Sequence, residues 1–497
     1  MIIDADNRAA KLQRVRSGEK PRVLELCSGC GGLSLGFAAA GFNLQAHVEC
    51  DPIAAKSYAL NFEPPEGVSS DKWSAPRDMV EQTADDVVDD LGLATPAAAS
   101  FDVLAAGLPC QAFARIGRSK LRSLKGDVDA FRNDPRARLY KRFLQYVEAV
   151  QPVAIVIENV PDILNFGGHN VPEEICATLE EAGYNTGYTL LNAAFYGVPQ
   201  IRERLFLIAL DQSLGIRPSF PEPTCKAELP SGYEGARTVA LKHVPSEGSR
   251  FTPIPQASAM AAGAVSTKEA IADLPYISEH FRDPAAMRRR KVGDELAYRS
   301  YVDLSEYARR MREWPGFEAG ESVTGNVVRL TPRDFPIFRR MPAGADYPQA
   351  LKIAEEIFAE RLLLELSPPP HGSKPWDDLR GQCVPPYDGG KFPNKWWKLD
   401  PALPSRTLTA HIGKDTYSHI HWDSKQQRTI SVREAARLQS FPDGFQFAGA
   451  MNAAFRQIGN AVPPLLAMAV AERLRNDLMA TRTEKGVGPT PPDSMAA

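Results

Sequence analysis

Short apolar runs alternate with amphipathic stretches through the first two hundred residues of the chain, which predicts strands alternating with helices. The runs that we predict to be strands are 23–26, 44–49, 101–106, 153–157 and 205–210. The helices predicted between them are 33–40, 52–62, 139–150 and 173–182. This alternation favours an α/β fold in which helices cover both faces of a parallel sheet.

The regular alternation stops after residue 210. The following stretch is rich in proline, arginine and tryptophan, which indicates a loop-rich second domain. Regularity returns near residue 429, where Ser431 and Glu434 have the spacing of a capping box, and a final helix is predicted over 464–476. The predicted divisions are a disordered tail over 1–20, a catalytic and cofactor-binding domain over 21–210, a target-recognition domain over 211–425, a segment over 426–478 that completes the catalytic domain, and a disordered tail over 479–497.

The composition is that of a globular protein, with 497 residues of which 43% are hydrophobic. No apolar run approaches the ~18 residues that a membrane span needs, and the polar N-terminal segment lacks a signal-peptide pattern, so export is not expected. Seven scattered cysteines do not suggest a disulfide framework, and they fit a reducing cytoplasm.

Charge is segregated along the chain, although the net charge is only −3. Residues 115–142 contain ten basic and three acidic side chains, a balance of +7, and residues 282–340 contain thirteen and nine, a balance of +4. Six carboxylates without a base lie between Asp78 and Asp90. This segregation favours a protein that meets a polyanion on one face, whereas solvated surface loops are the alternative interpretation.

A glycine-rich turn, Cys27–Gly32, follows the first predicted strand and opens a helix, so its backbone can approach a cofactor closely. Ser34 stands where a dinucleotide fingerprint needs its third glycine. Glu49, at the end of the second strand, could accept hydrogen bonds from ribose hydroxyls. The pattern favours a nucleoside cofactor without pyrophosphate, such as S-adenosylmethionine. A purely structural turn is the alternative, and one Cys-x-x-Cys pair cannot complete a zinc site.

Cys110 lies just after the strand 101–106 and leads directly into the basic segment. A residue at this edge of a parallel sheet lies where such folds bind ligands. Neighbouring positive charge would lower the pKa of the thiol and increase the thiolate fraction. A small buried hydrophobic residue is the alternative reading of a single cysteine.

Five motifs occur in the order found in the cytosine-5 DNA methyltransferase family, which the chain resembles over about 22–210 and 429–475. They are Pro109-Cys110-Gln111 with Phe113, Glu158-Asn159-Val160, Gln200–Arg204, Arg433–Pro442 and Gln457–Pro463. The resemblance implies a sheet like that of Rossmann-like, S-adenosylmethionine-dependent methyltransferases. Cys27 departs from the family pattern, in which phenylalanine usually packs on adenine.

The resemblance also implies a mechanism. The Cys110 thiolate would attack carbon 6 of a flipped-out cytosine, which makes carbon 5 nucleophilic. Glu158 would hydrogen-bond ring N3 through a carboxyl with a raised pKa. Arg202 and Arg204 would point at the target nucleotide, and a structural ion pair with Glu158 or Glu203 is their alternative role. The base that removes the carbon 5 proton is not identified, and water is a candidate.

The remaining site residues follow from the same resemblance. The residues expected to bind S-adenosylmethionine are Cys27, Ser28, Gly29, Cys30, Gly31, Gly32, Leu33, Glu49, Cys50, Asp71, Pro109, Asn460 and Val462. Those expected to touch DNA near the nucleophile are Gln111, Arg115 and Arg118. No metal is expected. The expected partner is double-stranded DNA, read by the domain over 211–425, for a monomeric cytoplasmic enzyme paired with a restriction endonuclease or defence system.

Three rival functions fit the sequence less well. A transfer-RNA cytosine methyltransferase would carry a Cys-Phe-Thr segment, and the nearest string here is Arg250-Phe251-Thr252. An amino-group DNA methyltransferase would have an acidic, amide or hydroxyl residue before Pro385-Pro386-Tyr387, where this chain has Val384. A catalytically silent DNA-binding scaffold would not need Cys110, Glu158 and the arginine pair.

Overall fold

The structure is a computed structural model that describes residues 5–93, 96–109, 135–165, 169–230, 233–414 and 416–480. Its strands are β1 (Arg22–Leu26), β2 (Asn43–Val48), β3 (Val103–Ala106), β4 (Ala154–Asn159), β5 (Tyr184–Asn192), β6 (Glu203–Asp211), β7 (Cys225–Lys226), β8 (Ala262–Gly263), β9 (Leu296–Ala297), β10 (Ser322–Val323), β11 (Trp396–Lys398) and β12 (Tyr417–Ile420). Its helices are α1 (Ala5–Arg16), α2 (Gly32–Ala39), α3 (Pro52–Asn61), α4 (Ser70–Ser74), α5 (Ala84–Leu91), α6 (Ala97–Ser100), α7 (Pro135–Val150), α8 (Val171–Glu181), α9 (Tyr233–Leu241), α10 (Thr267–Ile271), α11 (Glu279–Arg282), α12 (Pro284–Arg289), α13 (Glu306–Arg312), α14 (Phe335–Arg340), α15 (Tyr347–Leu363), α16 (Lys374–Gly381), α17 (Val432–Leu438), α18 (Met451–Asn460) and α19 (Pro464–Met479).

A six-stranded sheet with the order β2-β1-β3-β4-β6-β5 forms the centre of the molecule. Four strands, β2, β1, β3 and β4, run parallel to one another. The two innermost strands of the sheet are β3 and β4, and all of their residues are buried. Chain order reverses between β1 and β3, because β2 lies on one side of β1 and β3 on the other. In open α/β sheets, ligands bind at the carboxyl ends of the strands beside such a reversal.

The expectation of an all-parallel sheet is wrong at one edge. β6 runs antiparallel to both β4 and β5, which makes the sheet mixed. Only residues 193–202 connect β5 to β6, and they include a short 3-10 turn. A parallel connection needs a crossover of about a dozen residues or more, so this short link forces a hairpin. The sequence pattern also missed β5, which starts directly after the end of α8.

The expectation of a disordered tail over 1–20 is also wrong. Residues 5–16 form α1, and Leu12 and Val15 are buried in the main core. Arg8 forms an ion pair with Asp211 at 3.0 Å, and the Lys11 ammonium donates to the carbonyl of Val150 at 2.7 Å. The sequence predicted disorder for this segment, but its cations are bound by groups at the end of the sheet where the parallel strands begin. Residues 481–497 of the other predicted tail lie outside the described residues.

The C-terminal segment returns to the first half of the fold. α19 packs along α2, where Gly36 is so close to Ala467 and the backbone of Met468 that no Cβ would fit between them. The predicted capping box of α17 is confirmed, because the Ser431 hydroxyl accepts from the amide of Glu434 and the Glu434 carboxylate accepts from the amide of Ser431.

Two kinds of packing occur in the loop-rich stretch after residue 211. Its first part joins the main core through α10, α13 and residues such as Val323 and Val327. Arg437 on α17 fixes this part by an ion pair to Asp273 at 3.1 Å, and Asp443 of the C-terminal segment holds the same guanidinium at 2.5 Å. Its second part, centred on α14, α15, β11 and β12, has a hydrophobic core of its own.

Candidate active site

A cleft of about 520 Å³ opens at the carboxyl ends of the parallel strands. Its walls come from both ends of the chain. The turn after β1, Glu49 after β2, Pro109 after β3 and Glu158 on β4 line one side, and residues 459–462 at the end of α18 line the other. This volume falls within the usual range of small-molecule sites, about 300–1,000 Å³.

The glycine-rich turn and Glu49 form one hydrogen-bonded unit. The amide of Gly29 donates to one carboxylate oxygen of Glu49 at 2.8 Å, and the amide of Asp51 donates to the other at 2.7 Å. Gly32 lies directly against the carbonyl of Val462, where a Cβ would overlap that oxygen. The turn therefore needs glycine at this position in order to meet the C-terminal wall of the cleft.

Most of the residues expected to bind a cofactor meet in this cleft. Those that line it are Cys27, Ser28, Gly29, Gly32, Leu33, Glu49, Cys50, Pro109, Asn460 and Val462. Cys30 and Gly31 belong to the same turn but do not line the cleft. Cys30 is buried with its sulfur toward the carbonyl of Gln457, and Gly31 packs against the ring of Phe62.

Asp71 does not reach the cleft, contrary to the expectation. It is an exposed residue of the short helix α4, whereas Asp78 and Met79 line the cleft. The amide of Arg77 donates to the carbonyl of Glu49 at 2.8 Å, which brings the following two residues alongside the end of β2. Sequence reasoning missed Asp78 because it grouped this residue with the acidic run that follows it.

Glu158 lies at the end of β4, and its side chain is almost fully buried. Its carboxylate forms an ion pair with the Nε of Arg204 at 3.0 Å. Burial raises the pKa of the Glu158 carboxyl, and the positive charges of Arg204 and Arg202 partly oppose that rise. The raised pKa expected from the sequence is confirmed.

Arg202 and Arg204 both line the cleft but have different partners. The Arg202 guanidinium donates to the backbone carbonyls of Leu408 at 2.8 Å, Gly459 at 2.9 Å and Ala461 at 3.1 Å. It therefore fastens the C-terminal wall of the cleft to β6. Arg204 faces Glu158, as the ion-pair alternative predicted.

Neighbouring motif residues complete this framework. The Gln200 amide donates to Gln439, and Gln439 donates in turn to the carbonyl of Ala461 at 2.6 Å. Asn159 donates to the carbonyl of Leu108 at 2.8 Å, which fixes the chain two residues before Cys110. Sequence reasoning gave Asn159 no role of its own, although it sits inside a motif.

Cys110, Gln111, Arg115 and Arg118 lie outside the described residues. Within the parts of the chain that the structure describes, no three His, Cys, Asp or Glu side chains cluster closely enough to hold a metal ion. The described helices also include none with the length and apolar character of a membrane span.

Comparison with known proteins gives one consistent answer. The structure is similar to that of a DNA modification methyltransferase encoded within an Escherichia coli prophage, with a TM-score of 0.56 and 21% identity over 92% of this chain and 99% of that one. The two chains therefore share a fold.

The sequence comparisons are more specific. Residues 21–476 match the model of the C-5 cytosine-specific DNA methylases. A protein of Oceanobacillus iheyensis, named as a type II methyltransferase, is 37% identical over 92% of this chain and 96% of its own length. The type II methyltransferase M.AgeI of Thalassovita gelatinovora is 30% identical over 91% of this chain and 99% of its own length. The chain belongs to the C-5 cytosine-specific DNA methylase family.

Proposed function

We propose that the cleft transfers a methyl group from S-adenosylmethionine to carbon 5 of a cytosine flipped out of duplex DNA, with Cys110 as the nucleophile. The observation that carries the proposal is the buried pair of Glu158 and Arg204, which lies in the same cleft as the glycine-rich turn and Glu49. Methyl-transfer chemistry on a cytosine needs a proton donor and a cofactor site in this proximity.

The residues present fit S-adenosylmethionine. The Cys27–Leu33 turn offers backbone to the methionine part, and the Glu49 carboxylate, already oriented by two amides, can accept from the ribose hydroxyls. Asp78 is the acid that we assign to the adenine amino group in place of Asp71. When bound, the cofactor supplies an electrophilic methyl group. Asn460 and Val462 close the cleft over it from the C-terminal side.

The protein groups act on the cytosine ring as follows. The Cys110 thiolate forms a bond to carbon 6, and the ring electrons shift to carbon 5, which then takes the methyl group. The Glu158 carboxyl donates to N3 and stabilises the negative charge that develops during addition. Arg204 donates to the carbonyl O2 and keeps Glu158 in place. Loss of the carbon 5 proton to a base, with water as our candidate, then breaks the bond between carbon 6 and sulfur.

We assign the binding of the DNA duplex to parts of the chain outside the cleft. We assign clamping of the flipped nucleotide to the basic segment from Cys110 to Arg138, including Gln111, Arg115 and Arg118. We assign sequence reading to residues 211–425, between the catalytic parts 21–210 and 426–478. Relatives named as type II methyltransferases support a role in restriction-modification. We further propose a monomer that acts on DNA in the cytoplasm without a bound metal.

The experiment is methyl transfer to unmethylated plasmid DNA with tritiated S-adenosylmethionine, followed by sequencing of the methylated cytosines. Wild type is expected to label one sequence, and Cys110→Ala is expected to label none. Duplex carrying 5-fluorocytosine at that sequence should trap a covalent complex through residue 110, because fluorine cannot leave as the proton does. Absence of labelled cytosine with wild type, or an adduct at another residue, contradicts the proposal.

A further inference from the structure

A second, much smaller pocket of about 40 Å³ lies in the loop-rich part of the molecule. We call it the basic pocket. Four cations line it, Arg329, Arg333, Lys395 and Lys414, and its described lining contains no carboxylate.

The backbone around β11 and β12 brings three of these cations together. β11 and β12 pair in parallel, so the residues that precede them lie side by side. The amide of Tyr417 and the hydroxyl of Thr416 both donate to the carbonyl of Lys395, at 3.0 and 2.6 Å. The Arg329 guanidinium donates to the carbonyls of Lys414 at 2.9 Å and Thr416 at 3.0 Å. These contacts fix the backbone positions of Lys395 and Lys414, and the Arg329 side chain holds the second of them in place.

Aromatic rings hold two of the cations in defined positions. The ammonium of Lys395 lies 3.6 Å from the ring centre of Tyr387, and the guanidinium carbon of Arg329 lies 4.6 Å from that of Tyr417. Arg333 is paired with its neighbour Asp334 at 2.6 Å, which offsets part of the charge. Lys414 is exposed at the rim.

The size and charge of the pocket select its ligand. A volume of about 40 Å³ is far below the ~300 Å³ at which small-molecule sites begin, so a base or nucleoside does not fit. One small anionic group does. Lysine and arginine side chains bind phosphate oxygens by charge and hydrogen bonds, and they do so without regard to base sequence.

The basic pocket is connected to the active-site cleft by a short stretch of chain. Leu408 accepts from Arg202 at the cleft wall, and the backbone of Thr409 packs directly on Gly459. Lys414 follows Leu408 by six residues, a span of at most about 20 Å even when fully extended. Phosphates along one strand of a duplex recur every ~3.4 Å of helix axis, so a duplex with one base in the cleft has several phosphates within that reach.

We propose that the basic pocket binds a backbone phosphate of the DNA substrate beside the flipped cytosine. This inference rests on the proposed function, because it takes duplex DNA as the substrate. The pocket then acts as an anchor that sets the position of the duplex on the loop-rich part while the cleft acts on the base.

The test measures binding of a fluorescein-labelled 30-base-pair duplex of arbitrary sequence by fluorescence anisotropy at 50–200 mM NaCl. The variant is Lys395→Gln with Lys414→Gln, and the matched control is Lys374→Gln, an exposed lysine of α16 that pairs with Asp378. Loss of one phosphate contact reduces the slope of log K against log salt by ~0.9, so the double variant is expected to bind several-fold more weakly with a slope shallower by ~0.9. The control and the charge-retaining pair Lys395→Arg with Lys414→Arg are expected to keep the wild-type slope.

The outcomes separate this inference from the proposed function. A wild-type slope in the Gln double variant overturns the inference, and so does an equal loss in Lys374→Gln. A changed choice of methylated sequence with an unchanged slope would indicate a base contact and would also overturn it. If wild type binds DNA with the predicted salt effects but transfers no methyl group, the phosphate site stands and the proposed function fails. Retained kcat at saturating DNA, with a raised KM for DNA alone, supports an anchoring role and excludes misfolding.

Discussion

Glu158, Arg202 and Arg204 are charged side chains on one buried wall of the cleft, and their contacts give them separate roles. Arg204 neutralises Glu158 directly, whereas Arg202 binds the main-chain carbonyl of Leu408 and two more from the C-terminal segment. The hydrogen bonds described for Arg202 all go to carbonyls, so these bonds must supply much of the stabilisation of its buried charge.

Replacement of Glu158 tests the proton donor. Glu158→Gln keeps the shape but cannot give up a proton, so kcat is expected to fall by about 10²–10⁴-fold. Because burial raises the pKa of Glu158, wild-type kcat should fall as pH rises through that value, when the carboxyl ionises. The measurement is the pH profile of kcat at saturating DNA and cofactor. An alkaline decline of the same size in Glu158→Gln contradicts the assignment.

Replacement of Arg202 tests whether this side chain holds the C-terminal wall of the cleft in place. Arg202→Ala removes the donor from the buried carbonyls of Leu408 and Gly459, whereas the carbonyl of Ala461 keeps the side-chain amide of Gln439 as a donor. Each unsatisfied group costs about 1–3 kcal/mol, so we expect the free energy of unfolding in urea to fall by at least about 2 kcal/mol. Arg456→Ala is the control, because Arg456 forms a half-exposed ion pair with Asp51 that is worth about 1 kcal/mol or less. Equal stability of the two variants would show that the Arg202 contacts do not hold the cleft wall.

The sequence predicted the parts of the site that lie in local motifs. Glu49 and the turn could be inferred because they follow adjacent strands, and Glu158 because its motif ends a buried strand. Asp78 and the partners of Arg202 could not. Asp78 reaches the cleft only because the chain folds back to Glu49, and Arg202 meets carbonyls more than two hundred residues away. Such contacts depend on the whole fold and leave no local pattern.

At the level of elements, the packing of α2 on α19 joins the first half of the fold to the C-terminal segment. Gly36 on α2 is the point of closest approach, against Ala467 and Met468. Strands and helices were predicted well where both ends are marked by glycine or proline. β5 was missed because only Ala182 and Gly183 separate it from α8. The direction of β6 was wrong because it depends on the short connection from β5, a strand that was not recognised.

Replacement of glycine by alanine should have opposite effects on stability at two helical positions. Gly36→Ala forces a methyl group into the backbone of α19, and we expect a loss of about 1–3 kcal/mol in unfolding free energy together with weaker cofactor binding. Gly235→Ala on α9 meets no atom within contact distance, and a helical alanine there should stabilise the protein by about 0.5–1 kcal/mol. Urea unfolding of both variants is the measurement. A neutral Gly36→Ala would show that the two helices can separate.

At the scale of the whole molecule, buried titratable groups are spread over both parts of the structure. Burial lowers the pKa of His47 to about 3 and the pKa values of His280 and His419 to about 4. Burial raises the pKa of Glu25 to about 8. Each histidine binds fewer protons in the folded protein than in the unfolded chain, so its contribution to stability is present above its unfolded pKa of ~6.5 and is lost as pH falls. Glu25 has the opposite sign, since its contribution is present at low pH and is lost as pH rises toward 8.

Below pH 6 the protons that the three histidines gain on unfolding outnumber the one that Glu25 loses. We expect the free energy of unfolding to fall by about 2 kcal/mol per pH unit between pH 6 and 5, because each unmatched proton contributes ~1.4 kcal/mol per unit. The measurement is urea unfolding at several pH values. His280→Phe, at a site packed against Phe281 and Phe335, should make this dependence shallower. Stability that stays constant over this range would mean that these histidines are protonated in the folded state.

The cleft is assembled from segments that a ribosome makes at very different times. A growing chain that has reached residue 450 already contains Cys110, Glu158 and the glycine-rich turn, yet it lacks the wall made by residues 459–462 and the helix that supports α2. Chromosomal DNA should therefore meet an inert precursor until residues 459–479 have been made, and a chain that stops before residue 459 should leave every cytosine unmarked.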